Sequence, residues 1–393
     1  MRRNPTDVAE SGSARHHGQV SIFDRRPGLR WAVPAGAGVL IIAGSLIGTA
    51  VASADAGLPP KTAEELLVAV QDPQATAVSG TVVTSADLGL PELPTGTAST
   101  ADLSSLATGS HTLRVWTDGG QRSRVALMAS AKETDIVRNG NDVWMWSSTG
   151  TTAEHFVMPP RDGAKPEPPA GVTLPSTPQE AAALALSSLD PTTEVTTSGV
   201  DKVAGRPVYE LILTPKQSDT LVAKVAVAID GETNVPLRVE VYAKGIQDPA
   251  YSVGFTSVDF GTPDPSIFDF TPPPGATVTD HAATDSARPD AGAGKPEGAA
   301  PKVVGTGWSQ VMVATIPPDM AAGAANADPG TGATSAAGAN ALALIDALPT
   351  TTGPWGSGKV LSGTLFSAIL TDDGRVAIGA VNPETLGAAL AAQ

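Results

Sequence analysis

The chain has 393 residues, with 40 acidic against 25 basic groups for a net charge of −15, and no cysteine. The missing cysteine excludes a disulfide framework, a thiolate metal site, a cysteine nucleophile and an acylated lipoprotein cysteine. So acidic a surface repels phosphate backbones, which removes nucleic acid from the expected partners.

Residues 1–30 form a basic leader, six Arg against three acids. Ala32–Ala54 then runs 23 residues without a charge. Such a stretch is long enough to cross a ~30 Å hydrocarbon core as a helix, and the basic flank stays cytoplasmic. Ala52-Ser53-Ala54 has the small-x-small form of a signal-peptidase site. Residues 31–54 therefore read either as a transmembrane signal-anchor or as a signal peptide cleaved after Ala54. Both readings place the remainder outside the cytoplasm, as a single-pass cell-membrane protein with an extracytoplasmic domain or as a secreted one.

Thr62-Ala63-Glu64-Glu65 is a capping box, and Leu66, Leu67 and Val70 give the helix behind it an apolar stripe until Asp72-Pro73. Val78–Val83 starts a strand. Leu90–Gly109 is rich in Pro, Gly, Ser and Thr and reads as a surface loop. His111–Trp116 and Arg122–Ala129 flank a turn at Asp118-Gly119-Gly120; Asp135–Arg138 and Asp142–Ser147 flank Asn139-Gly140, a strong hairpin signal. His155–Met158 adds another strand. Pro159–Pro178 cannot be sheet interior. It ends in a second capping box, Thr177-Pro178-Gln179-Glu180, before a helix over Ala181–Leu189 that is apolar on every face and needs cover on most sides.

Strands resume at Glu194–Thr197, Pro207–Thr214, Val222–Ile229, Leu237–Lys244 and Ala250–Phe260. In the fourth of these, Leu237, Val239, Val241 and Ala243 alternate with Arg238, Glu240, Tyr242 and Lys244, one face for the core and one for water. Ile267–Phe270 and Thr271-Pro272-Pro273-Pro274-Gly275 are expected to terminate the sheet, since prolines offer no ladder donors. Residues 281–301 read as a disordered linker. Residues 302–393 form a small α+β unit: a strand at Val311–Ile316, a loop over Ala321–Gly338, and a helix near Ala341–Leu348. A hairpin of Thr364–Leu370 with Arg375–Val381 follows, then a final helix capped by Asn382-Pro383. So small a unit is expected to pack on the first domain.

Catalytic patterns do not emerge. His111 and His155 have no second ligand at metal spacing, His16 and His17 lie in the leader, and His281 reads as linker. There is no G-x-S-x-G, no H-E-x-x-H and no phosphate-binding Gly-rich loop. The reading is a non-enzyme with no catalytic residue, metal or cofactor. More telling are strands apolar on both parities: Val143 and Met145 beside Trp144 and Trp146, Leu211 and Leu213 beside Val208 and Ile212. Both faces there need cover, with the two capped helices as candidates. Incomplete cover would leave an apolar groove. The candidate lining is Val143, Trp144, Met145, Trp146, Leu211 and Leu213 with Leu184 and Leu186 of the second helix.

The helix of Thr62 to Val70 leads into Ser79-Gly80-Thr81-Val82. With the hairpin Arg138-Asn139-Gly140-Asn141-Asp142-Val143-Trp144-Met145-Trp146 and the ending Phe268-Asp269-Phe270-Thr271-Pro272-Pro273-Pro274-Gly275, it resembles the LolA/LolB-type lipoprotein-carrier fold. RseB/MucB stress sensors and actinobacterial lipid-carrier lipoproteins share that fold. The resemblance covers residues 58–280. It implies an α+β domain: a strongly curved, unclosed antiparallel β half-barrel covered by helices, whose cavity binds lipid or lipoprotein acyl chains in the cell envelope. The two-domain layout is similar to that of RseB, which implies the alternative of a regulatory sensor binding an anti-sigma factor or other membrane protein. The chain departs from LolB in lacking an acylated cysteine.

Overall fold

The computed structural model describes residues 57–71, 73–90, 103–129, 132–158, 175–187, 189, 191–281, 302–316 and 345–392. The leader, the 31–54 segment, the 281–301 linker beyond its first residue, the 321–338 loop and most of the Pro-rich stretch lie outside these residues. Among the described residues no helix is long and apolar enough to cross a membrane.

The first helix, α1 (Ala63–Gln71), begins at a capping box that closes in both directions. The Thr62 N–H donates to Glu65 Oε2 at 2.8 Å, and the Glu65 N–H donates to Thr62 Oγ1 at 3.2 Å. In α2 (Pro178–Ser187) only half the expected box forms. The Glu180 N–H donates to Thr177 Oγ1, but the Glu180 carboxylate reaches one residue further back, to the N–H and hydroxyl of Ser176. Proline at the first helical position gives α2 one fewer donor to satisfy.

Twelve strands form one open, strongly curved sheet. They are β1 (Val78–Asp87), β2 (Thr108–Thr117), β3 (Arg122–Ala129), β4 (Lys132–Asn139), β5 (Asp142–Ser147), β6 (Thr152–Val157), β7 (Thr193–Val203), β8 (Arg206–Pro215), β9 (Val222–Asp230), β10 (Pro236–Ala243), β11 (Pro249–Asp259) and β12 (Thr277–His281). Their order is β12-β6-β5-β4-β3-β2-β1-β11-β10-β9-β8-β7. Curvature brings β7 back against β11, four places away in that order. Turn chemistry sets the hairpins: Asp118 Oδ1 accepts from the N–H groups of Gly120 and Arg122, and Gly119 and Gly140 take the positive φ their turns require.

The sheet does not stop at the prolines. After Thr271–Gly275 the chain returns as β12, which pairs parallel to β6 and contains His281. The three prolines end only the antiparallel run; Thr277 onward has free N–H groups and the ladder resumes. His155 helps hold this strand, with Nε2 3.0 Å from Asp142 Oδ1 and Nδ1 3.1 Å from Asp280 Oδ1.

A second, six-stranded sheet follows: β13 (Lys302–Val304), β14 (Val311–Thr315), β15 (Thr350–Gly353), β16 (Gly356–Ser362), β17 (Ser367–Thr371) and β18 (Arg375–Gly379), in the order β13-β14-β18-β17-β16-β15. The last helix, α3 (Pro383–Ala391), covers one of its faces, capped by Asn382 Oδ1 accepting from the Thr385 N–H. Of the helix expected near Ala341–Leu348, residues 345–347 are helical and 341–344 lie outside the described residues. This unit packs on the first through Trp308, Leu365, Phe366 and Ala380, which lie against its core, and through hydrogen bonds. The Leu221 N–H donates to the Ala380 carbonyl at 2.8 Å, Trp308 Nε1–H to Thr193 Oγ1 at 2.7 Å, and the Thr364 N–H to the Leu88 carbonyl at 2.7 Å.

Candidate functional site

Strand register assigns each residue of the large sheet to one of two faces. On the inner face Leu211 stands opposite Val227, Val227 opposite Val239, and Val239 opposite Val253. The series continues through Thr84, Val82, Leu113 and Leu127. Leu66 and Val70 of α1 and Ala181, Ala182 and Ala185 of α2 are buried in the same cluster. The contacts of α1 run to β7 and β8, and those of α2 to β10 and β11. Further along, the inner face continues as a ladder of Val115, Val125, Ile136 and Met145. There Val125, Ile136 and Val143 are half-buried, and Met145 is 38 % exposed.

Between these two regions lies a cleft of about 390 Å³, within the usual range for small-ligand sites. Its apolar walls include Val78, Val115, Val125, Val235, Pro236 and Phe255; Thr177, Gln179 and Glu180 at the start of α2, with Thr76, Thr117 and Arg124, make up its polar part. Gly80 makes this floor possible. A Cβ there would come 2.1 Å from the Ser257 carbonyl oxygen and 3.0 Å from the Phe255 ring, and the neighbouring β-bulge between Thr81 and Val82 bends the strand.

The eight residues singled out from sequence fall into four places, and none lines the cleft itself. Val143 and Met145 lie on the inner-face strip that leads away from it. Leu211 and Leu213 are on the inner face but fully buried. Leu186 is half-buried against that core, whereas Leu184 is 60 % exposed. Trp144 and Trp146 are on the outer face. The cover for those indoles is not a helix, as expected, but the segment after β11. Phe270 meets Trp144 and Trp146 at ring-centroid distances of 5.5 and 6.4 Å, and the other side of Trp144 stacks on His155 at 4.2 Å. The cleft residues sequence reasoning missed, Val235, Phe255 and Gln179, belong to a turn, the middle of β11 and the first turn of α2. Only the last carried a signal.

Beneath the outer-face aromatics lies a buried ion pair, Arg124 with Asp135. Burial pushes the Asp135 carboxyl up to about 6 against the pull of the guanidinium. Asp135 Oδ1 and Arg124 Nε have no hydrogen-bond partner. The other buried acid, Asp230, behaves oppositely. Burial alone would raise it, but Arg206 and the N–H and hydroxyl of Thr233 hold its carboxyl below the ordinary range. Arg124 of the first pair also lines the cleft, whereas Arg206 and Asp230 do not. Such a site can hold hydrocarbon; among the described residues it presents no nucleophile paired with a base.

No protein-family model matches the chain, and no curated protein does. Among solved structures it is similar to the Pseudomonas aeruginosa MucA/MucB complex at 15 % identity and TM-score 0.39, over 83 % of this chain and 94 % of that one. It is also similar to an uncharacterized conserved protein from Thermus thermophilus, at 12 % identity and TM-score 0.32, over 56 % of this chain and 99 % of that one. A LolA superfamily protein from Nitrosomonas europaea matches at 13 % identity and TM-score 0.20, over 54 % of this chain and 99 % of that one.

Proposed function

We propose that this is a non-enzymatic cell-envelope protein that holds the acyl chain of a lipid or of an acylated protein inside a β half-barrel. In this reading the chain lies in the cleft beneath α2 and runs along the inner face of β3 to β6. One observation carries it: the cleft of about 390 Å³ shares Val125 with an inner-face strip that continues by register through Ile136 and Met145 and stays half-buried or exposed. A folded core would bury such a ladder, and a bound hydrocarbon would do the same. Each methylene buried is worth about 0.8 kcal/mol. Roughly ten of them would supply about 8 kcal/mol, the scale of a micromolar complex before immobilisation costs. The charge-free 31–54 segment supports an extracytoplasmic place for this work. Native mass spectrometry of protein purified from its own envelope should show a co-purified lipid. A clean apo mass, together with no uptake of a fluorescent acyl lipid, would refute the proposal.

A regulatory sensor that binds a membrane-protein partner is the second reading. Its support is an exposed apolar pair, Val303 and Met312, 61 % and 41 % exposed and opposite each other on β13 and β14. They lie on the face of the second sheet that α3 leaves uncovered. Crosslinking in the envelope through position 303 should capture a membrane protein if this reading holds.

A further inference from the structure

We propose that β12 is a detachable edge strand, latched to β6 by imidazolium–carboxylate contacts on both faces of the sheet, so that acid keeps it docked and rising pH releases it. The proposal does not depend on the acyl-binding reading. Its ground is how little else holds β12. The strand ends the sheet and pairs with β6 alone. Four of its five residues, Thr277, Val278, Thr279 and Asp280, are exposed, so apolar burial contributes little to its attachment. Besides the backbone ladder, two histidines tie it down, one from each strand.

On the outer face His155 of β6 stands between two carboxylates, with Nε2 3.0 Å from Asp142 Oδ1 on β5 and Nδ1 3.1 Å from Asp280 Oδ1 on β12. A neutral imidazole carries one N–H. Whichever nitrogen holds it, the other turns a lone pair on a carboxylate, and only the protonated ring donates to both. Trp144 stacks on the imidazole at 4.2 Å and fixes its plane. Asp269 adds another acid nearby: it accepts from Asn139 Nδ2, and Asn139 stands opposite Asp142. Arg124, on the same row as His155, is bonded to Asp135, and Val137 and Trp144 stand between it and the imidazole.

On the inner face the roles reverse. His281 of β12 stacks on Phe156 at 4.4 Å and sets Nε2 3.5 Å from Glu154 Oε2 of β6. Arg138 shares that row but lies beyond Val143 and Phe156. Each latch contact favours the charged ring, and each crosses between β6 and β12. By linkage, docking of β12 gains from protonation of the two rings. The gain is present at acid pH while the carboxylates are still ionised, and is lost as the imidazoles give up their protons.

Amide exchange of the full chain, read by mass spectrometry on peptides spanning residues 277–281, tests this at about pH 5 and about pH 8, the limits between which imidazole changes charge. After correction for the intrinsic base-catalysed rate, protection of β12 should fall about threefold to tenfold at the higher pH, the scale of one or two exposed ion pairs. Replacing both rings, His155→Gln with His281→Gln, keeps polar side chains without the charge. Protection in that variant should be low and the same at both pH values, while β9 and β10, elsewhere in the sheet, exchange as before. Asp280→Asn, at an exposed position, should remove part of the same pH dependence. Equal protection of β12 at both pH values in the unaltered chain would overturn the proposal. So would a pH dependence that the double variant keeps in full.

Discussion

Val125 offers the sharpest test of whether the inner face is open. It stands between Val115 and Ile136 on the ladder, is half-buried, and contributes to the cleft wall. Val125→Phe adds four carbon atoms to a side chain that points into free volume. In a closed core an enlargement of this kind forces neighbours aside and costs about 1–3 kcal/mol. Into a cleft of about 390 Å³ the ring extends without that strain, so stability should change by less than about 0.5 kcal/mol. The ring would occupy space for about four methylenes of ligand, worth about 3 kcal/mol at 0.8 kcal/mol each. Acyl-lipid affinity should then fall about 100-fold. Fluorescence displacement gives the affinity and urea unfolding the stability, on the same preparation. Loss of stability by about 1 kcal/mol or more would mean the position is packed and the cleft is not a ligand site. Unchanged stability with unchanged affinity would mean that acyl chains bind elsewhere.

Gly80→Ala should destabilise strongly, by about 3 kcal/mol or more in urea unfolding, because its Cβ would fall 2.1 Å from the Ser257 carbonyl oxygen, which the β1–β11 ladder holds in place. Thr62→Ala removes one half of a reciprocal cap and should cost about 1 kcal/mol by the same assay. Asp135 gives a pH signature. Its folded pKa, about 6, lies above the ordinary value of 3.8, so its contribution is fully favourable below about pH 4 and declines as pH rises to about 6, by at most about 3 kcal/mol. Subtracting the profile of Asp135→Asn from that of the unaltered chain should isolate that decline, and a flat difference would refute it. Asp230 is depressed, so its contribution should be present above the ordinary carboxylate range and be lost as pH falls below it. The difference profile against Asp230→Asn should show that opposite slope.

The elements that could be read from sequence were those whose cause is local. Thr62 with Glu65, Asn139-Gly140 and the alternation of Leu237 to Lys244 each act within a few residues, and each forms where expected. What could not be read was cover at long range. Trp144 and Trp146 announce a second apolar face, yet nothing local says that Phe270, more than 120 residues later, supplies its cover. The parallel strand β12 was hidden for the same reason. A five-residue polar stretch, Thr277–His281, carries no hydrophobic pattern of its own and becomes a strand only because the edge of β6 accepts it. The cleft suffered most. Its walls come from several separate strands, a turn and a helix cap, which periodicity within one segment does not bring together, and so attention fell on the strand centres at Leu211 and Leu213, which the helices close over.

The two halves of the sheet handle their two faces in opposite ways, and this bears on how a ligand would be held. From β7 to β10 the inner face is sealed by α1 and α2, and the outer face is left to charged pairs such as Arg238 with Asp201 and Arg238 with Glu240. Beyond the buried Leu113 and Leu127, from β3 to β6, the outer face is covered by Phe268 and Phe270 with the Arg124–Asp135 pair nearby, and the inner-face strip Val125, Ile136 and Met145 is only half-buried or exposed. A strand needs one face packed to keep its register. In the second half that packing comes from outside the cavity, so the strip Val125, Ile136 and Met145 can stay in position without anything lying on it. A ligand then meets a surface already arranged and incurs less ordering cost on binding. Phe270→Ala separates this from the alternative in which the ligand itself orders the strands. Phe270 lies against the outer face and is not part of the cleft wall, so any loss of acyl-lipid affinity in that variant must come through the outer clamp. Affinity that held steady while β5 and β6 gained faster amide exchange would show that the clamp sets register but not binding.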